Sequence, residues 1–183
     1  MKQTLITIII ALYGITFSSA QQTTLLQPIK WYSFEEALQL NTERASVGLK
    51  PKKIFIDVYT NWCGWCKRMD ATTFNHPVIA DYMNSYYIPV KLDAERQDTV
   101  KINDQIFAPN ISRKTHQLGA ILLNGQMSYP SYAILDETGK SIQVIPGYQE
   151  AKNFEGILYY FGSDAYKNTA WEDFSKSFQG SVR

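Results

Sequence analysis

Cysteine and histidine are both scarce in this chain, with two of each in 183 residues. Cys63 and Cys66 are too close in sequence to staple a fold, because so short a loop removes little entropy from the unfolded chain. His76 and His116 are far apart, so a structural zinc site is left short of its four ligands and no metal is expected. An excess of one charge is missing too. Lys and Arg number 18 against 17 Asp and Glu, a net charge of +1, so nothing draws the chain towards nucleic acid or an anionic membrane. Internal repeats and low-complexity tracts are absent. What is present is ordinary for a folded protein: 45% hydrophobic and 19% charged residues, in a length that suits one domain with its own core.

The N-terminus carries a long apolar run. In "MKQTLITIIIALYGITFSSA" one cation, Lys2, precedes an apolar stretch from Leu5 to Phe17, and Ser18 and Ala20 supply small residues where a peptidase would cut. This is the layout of a secretory signal peptide over residues 1–20, with the mature chain starting at Gln21 in an oxidising compartment. Left uncleaved, the segment would anchor the protein to a membrane. The expected location is export, in a bacterium the periplasm.

The two cysteines sit in "IFIDVYTNWCGWCKRMD", residues 54–70. "IFIDVYT" is an apolar, β-rich run that reads as a buried strand, and "CKRMDATTF" has helix formers and no breaker before "NHP". The pair therefore stands where a strand hands over to a helix. Backbone N–H groups there favour negative charge, which would hold Cys63 as a thiolate by lowering its pKa from ~8.5 into a range of ~3.5–7.5. Cys66, one turn further in, would be the more buried. An aspartate inside an apolar strand is costly unless paired or protonated, so Asp57 is a candidate functional acid.

"DVYTNWCGWCK" resembles the active-site segment of the thioredoxin superfamily. The resemblance implies an α/β, thioredoxin-like fold, a central mixed sheet flanked by helices, with Cys63 and Cys66 as a redox-active disulfide. It makes Asp57 the buried acid that moves protons for Cys66. Lys91 in "YYIPVKLDAE" falls where the family often places a lysine near that acid. Pro130 in "SYPSYAILDETGK" matches the family's cis-proline, preceded by Tyr129, and Gly147 matches the glycine after the last strand. Trp62, Gly64, Trp65, Tyr129 and Pro130 are the implied substrate-contact residues. The implied activity is thiol–disulfide exchange on protein disulfides, without a cofactor and with electrons from a membrane or soluble thiol donor. A reductase is favoured by Asp57 and Lys91. An oxidant or isomerase of the same fold stays open because Gly64-Trp65 replaces the Gly-Pro common in thioredoxins. So does a thioredoxin-fold binding module with incidental thiols.

The rest of the chain is expected to form a single domain over 21–183. Ser33 and Glu36 form a capping box opening a helix. Residues 41–53 read as a polar connector, and strands fall at 54–60 and 86–92. An insert over about 94–114 reads as a small hairpin turning at Asn103-Asp104. Thr115 is expected to cap a helix "HQLGAILL" that ends at Asn124-Gly125. Strands near 131–135 and 141–145 follow, then a helix over "QEAKNFEGILYYF". A helical extension over about 163–180 carries Trp171, Phe174 and Phe178 at helical spacing, expected to be core.

Overall fold

The computed structural model describes residues 27–183; the expected signal segment lies outside them. Ser33 accepts from the Glu36 amide while Glu36 reaches back to the Ser33 amide, so the capping box opens α1 (Phe34–Ser46) as read. The helix runs on through Ser46, which shortens the expected connector. Then come β1 (Lys53–Tyr59), α2 (Gly64–Ala71), α3 (Pro77–Tyr86) and β2 (Tyr87–Asp93). Pro77 is at the first turn of α3, where a missing N–H costs nothing.

The insert forms the expected hairpin, β3 (Val100–Ile102) with β4 (Gln105–Phe107), turning through Asn103 at φ 52°. A second pair follows that periodicity did not reveal, β5 (Pro109–Asn110) with β6 (Thr115–His116). Thr115 is thus in a strand, and the cap of α4 (Gln117–Leu122) is His116, whose Nδ1 accepts from the Leu118 amide. His76 caps α3 in the same way. Both histidines of the chain are helix caps.

The chain then supplies β7 (Ser131–Leu135), β8 (Ser141–Pro146) and α5 (Ala151–Gly162). The C-terminal extension is more broken than expected, a 3-10 turn at Ala165–Lys167 and a short α6 (Trp171–Ser177). Its aromatics lie against α5 rather than in the core. Trp171 is exposed and Phe174 half-buried, and both meet the Tyr160 ring at centroid distances of 5.2 and 5.0 Å. Seven residues cannot wrap far enough to seal that face.

The main sheet has the order β2-β1-β7-β8. Strand β1 is parallel to β2 and antiparallel to β7, which is antiparallel to β8. Side chains alternate across each strand. Ile54, Ile56, Val58, Ile88, Val90 and Leu92 pack against α1 and α4. Phe55, Tyr87 and Tyr132 pack on the other face against α2, α3 and α5. By the same alternation Asp57 and Lys91 point to that second face, beneath α2.

Candidate active site

Four chain segments meet at one end of the sheet. The C-terminal ends of β1, β2 and β8 and the N-terminal end of β7 all lie there, as the strand directions require. Cys63 is the N-cap of α2, and Cys66 lies one turn in. The two are joined as a disulfide, their Cα atoms 5.3 Å apart, and Cys63 Sγ accepts from the Cys66 amide at 3.0 Å. Both cysteines are buried, at 4% and 3% exposure, so the expected difference in burial between them is not found. What separates them is position: Cys63 is at the mouth of the helix, where its sulfur accepts from the Cys66 amide.

Beneath α2, Asp57 pairs with Lys91 across the β1–β2 register. Lys91 Nζ stands 2.9 Å from Asp57 Oδ2 and also bonds Asp70 Oδ1 from α2. Rings of Trp31, Tyr59 and Phe74 surround the ammonium at 5.0, 5.1 and 5.5 Å, a cation–π cage that helps offset its lost water. Asp57 is 1% exposed, and its Oδ1 has no hydrogen-bond partner among the described residues. Burial pushes its carboxyl up from 3.8 to about 6; the Lys91 charge and hydrogen bond oppose this, and the Asp70 charge adds to it. For Lys91, burial acts downward but is outweighed by Asp57 and Asp70, so it stays protonated. Tyr132, opposite Asp57 on β7, donates to Met69 Sδ at 2.7 Å, and burial raises its phenol far above its ordinary value.

The Tyr129–Pro130 peptide bond is cis. Pro130 O accepts from the Gly147 amide at 2.8 Å, which ties the two loops together, and Gly147 adopts φ 89°, a conformation that suits glycine. The N–H and C=O of Tyr129 form no hydrogen bond among the described residues.

Two aromatic walls flank the cysteines. Trp62, 66% exposed, meets the Tyr129 ring edge-on at 5.8 Å and donates from Nε1 to Glu95 Oε1 at 3.0 Å. Trp65, 56% exposed, packs on Tyr148 at 5.3 Å, and the Arg68 guanidinium covers both rings at 5.5 and 5.7 Å. Gly64 has open space around its Cα, so its helix-start position imposes no steric need for glycine. All nine sequence-predicted site residues therefore gather at this end of the sheet or directly beneath it. Sequence reasoning missed Asp70, Arg68, Glu95 and Tyr148. Asp70 and Arg68 follow Cys66 on the same helix and were open to a helical-wheel argument; Glu95 and Tyr148 join through tertiary placement alone. A cleft of about 1240 Å³ lies elsewhere, between β8, α5 and α6, and contains neither cysteine.

Residues 17–144 match the model of the family described as Thioredox_DsbH, protein of unknown function, DUF255. A relative from Archaeoglobus fulgidus, described as an uncharacterized protein, is 32% identical over 69 residues, 38% of this chain; the chain spans 50% of that relative's length. Among solved structures, a DsbH oxidoreductase superposes with a TM-score of 0.54 at 17% identity, over 82% of this chain and 94% of its own. A thioredoxin-fold protein from Helicobacter pylori gives 0.52 at 20%, over 70% and 81%. A thioredoxin from Thermus thermophilus gives 0.50 at 13%, over 84% and 100%. At these identities the likeness is one of fold. The family match covers well over half of the chain: the protein belongs to the Thioredox_DsbH family, within the thioredoxin superfamily.

Proposed function

We propose that the protein is an exported reductase of protein disulfides, working through Cys63 as nucleophile and Cys66 as resolving thiol. The observation that carries this reading is the Cys63–Cys66 pair at the start of α2, above a buried Asp57 that has one oxygen unpartnered. Cys63 thiolate attacks a substrate disulfide; a Cys63–substrate bond forms and the other substrate sulfur leaves as thiolate. Asp57 then takes the proton from Cys66. The Cys66 thiolate attacks Cys63 Sγ, the substrate leaves as its second thiolate, and the two electrons of the dithiol have passed to the substrate. The free N–H and C=O of Tyr129, beside cis-Pro130, would pair with the substrate backbone as an added strand, with Trp62 and Trp65 on either side. An external thiol donor, membrane-bound or soluble, would return the dithiol to its reduced form.

The reductant direction rests on the Asp57–Lys91 pair, because a base that deprotonates Cys66 speeds the step that discharges reduced substrate. Export rests on the N-terminal segment, and a single domain on the one sheet whose two faces α1 through α5 cover. The test is the reduction potential in glutathione buffers, read from Trp62 and Trp65 fluorescence. A value near −270 mV supports the reductase; one near −120 to −180 mV replaces it with an oxidant or isomerase. Cys66→Ser is expected to accumulate mixed disulfides on Cys63, whereas Cys63→Ser is expected to form none. A Cys63→Ser protein with full exchange activity would overturn Cys63 as the nucleophile, and a protein whose function survives the loss of both cysteines would be a binding module.

A further inference from the structure

The two walls beside the dithiol differ in charge. Glu95 follows β2 at one edge of the sheet, and Tyr148 follows β8 at the other; the dithiol follows β1 between them. On the first side stand Glu95, held by the Trp62 indole, and Asp93, which accepts from Asn61 and from the Glu95 amide. On the second stands Arg68, laid over Trp65 and Tyr148. None of these three charges has an ion-pair partner among the described residues. Two other charged groups nearby are occupied, Arg96 by Glu35 and Asp98 and Asp70 by Lys91, while Glu150, two residues beyond Tyr148, also has no ion-pair partner among the described residues. Unpaired charges fixed on aromatic rings at the rim of an exposed groove are placed for a partner, since their own chain gives them none.

Resting on the reductase reading above, we propose that this groove reads the charge order of its substrate. A segment with acidic side chains on the Trp65 side of its cysteine and basic side chains on the Trp62 side docks in preference to the reverse order. The occupant is thus an extended protein segment of mixed charge, and Arg68 and Glu95 are the specificity-determining residues. The aromatic walls supply sequence-tolerant contact; the two charges supply direction.

Two synthetic peptides test this. They have one composition and opposite order, two aspartates before and two lysines after a single cysteine, or the reverse. Each carries its cysteine as a mixed disulfide with 2-mercaptoethanol. The full chain, reduced and desalted, is mixed with each, and the second-order rate constants are compared. The preferred order is expected to react about five- to tenfold faster at low ionic strength, with the ratio falling towards one in about 0.5 M salt. The double reversal Arg68→Glu with Glu95→Lys is expected to invert the preference. Equal rates for both peptides in the unaltered protein would overturn the proposal, as would a preference that salt or charge reversal leaves untouched. Reduction of uncharged 2-hydroxyethyl disulfide, run alongside, separates the failures. If it proceeds while the peptides react equally, only charge reading fails; if it does not, the reductase reading fails and takes this proposal with it.

Discussion

Two carboxylates are buried to about 1% exposure in this molecule, and they are held in opposite ways. Glu155, on α5, has both oxygens occupied: Oε1 accepts from the Ser181 amide at 2.7 Å and Oε2 from the Val182 amide at 3.0 Å. It fastens the C-terminal tail and draws Val182 into the core. Asp57, beneath the dithiol, has one oxygen on Lys91 and the other bare. Charge-assisted bonds to two amides compensate a carboxylate for the water it has lost. A half-compensated carboxylate keeps a standing preference for a proton. The same chemical group is fully bonded in one place and short of donors in the other, and that shortage is what the proposed role of Asp57 as a proton acceptor draws on.

That contrast can be broken at either end. Glu155→Ala leaves the buried Val182 amide and the part-buried Ser181 amide without their acceptor and is expected to lower the unfolding free energy by about 2–4 kcal/mol. Amide hydrogen exchange at Ser181 and Val182 should accelerate, with exchange towards a small disulfide unchanged. Denaturant titration that finds no loss would show that the tail is held by Val182 alone.

Asp57→Asn should act with the opposite sign. Because the folded-state pKa is about 6 against an ordinary 3.8, the folded chain binds this proton more tightly than the unfolded chain. Stability from that group is complete below about pH 4 and is lost as pH rises through 6. An asparagine, neutral throughout, is expected to stabilise the protein by up to about 3 kcal/mol at pH 8 and by little at pH 4. It should also slow Cys66 attack about tenfold or more near neutrality. Melting curves of both proteins at the two pH values check the first part, and decay of a preformed mixed disulfide checks the second. A smaller effect is expected at Gly180→Ala, whose Cβ would press on Glu155, 3.1 Å from Cδ, and cost about 1–2 kcal/mol by calorimetry.

The buried Asp57 was legible in the sequence and the buried Glu155 was not, for a physical reason. Asp57 interrupts an apolar strand, where any charge is conspicuous. Glu155 sits in "NFEGILYY", where a helix normally turns a glutamate to water; only the returning tail, more than twenty residues on, encloses it. The Ser33–Glu36 box, β1, the Asn103 turn and the Pro130 region were also readable, because each depends on local chemistry or on the resemblance around the CxxC. Thr115 reads as a cap from its hydroxyl, yet pairing in β6 places the His116 imidazole next to the helix start. The three C-terminal aromatics share a helical face, but spacing does not reveal whether another layer will cover it. Arg68 and Tyr148, eighty residues apart, look like unrelated surface side chains until β8 brings its end beside α2.

The antiparallel pairing of β1 with β7 also carries a consequence in time. As the chain leaves the ribosome, Cys63 and Cys66 emerge more than sixty residues before Tyr129 and Pro130, and β1 lacks its inner neighbour until 131–135 has been made. During that interval the thiols exist without the groove that is to choose their partners. Once β7 closes, the cis-Pro130 loop is in place beside them and both cysteines are buried.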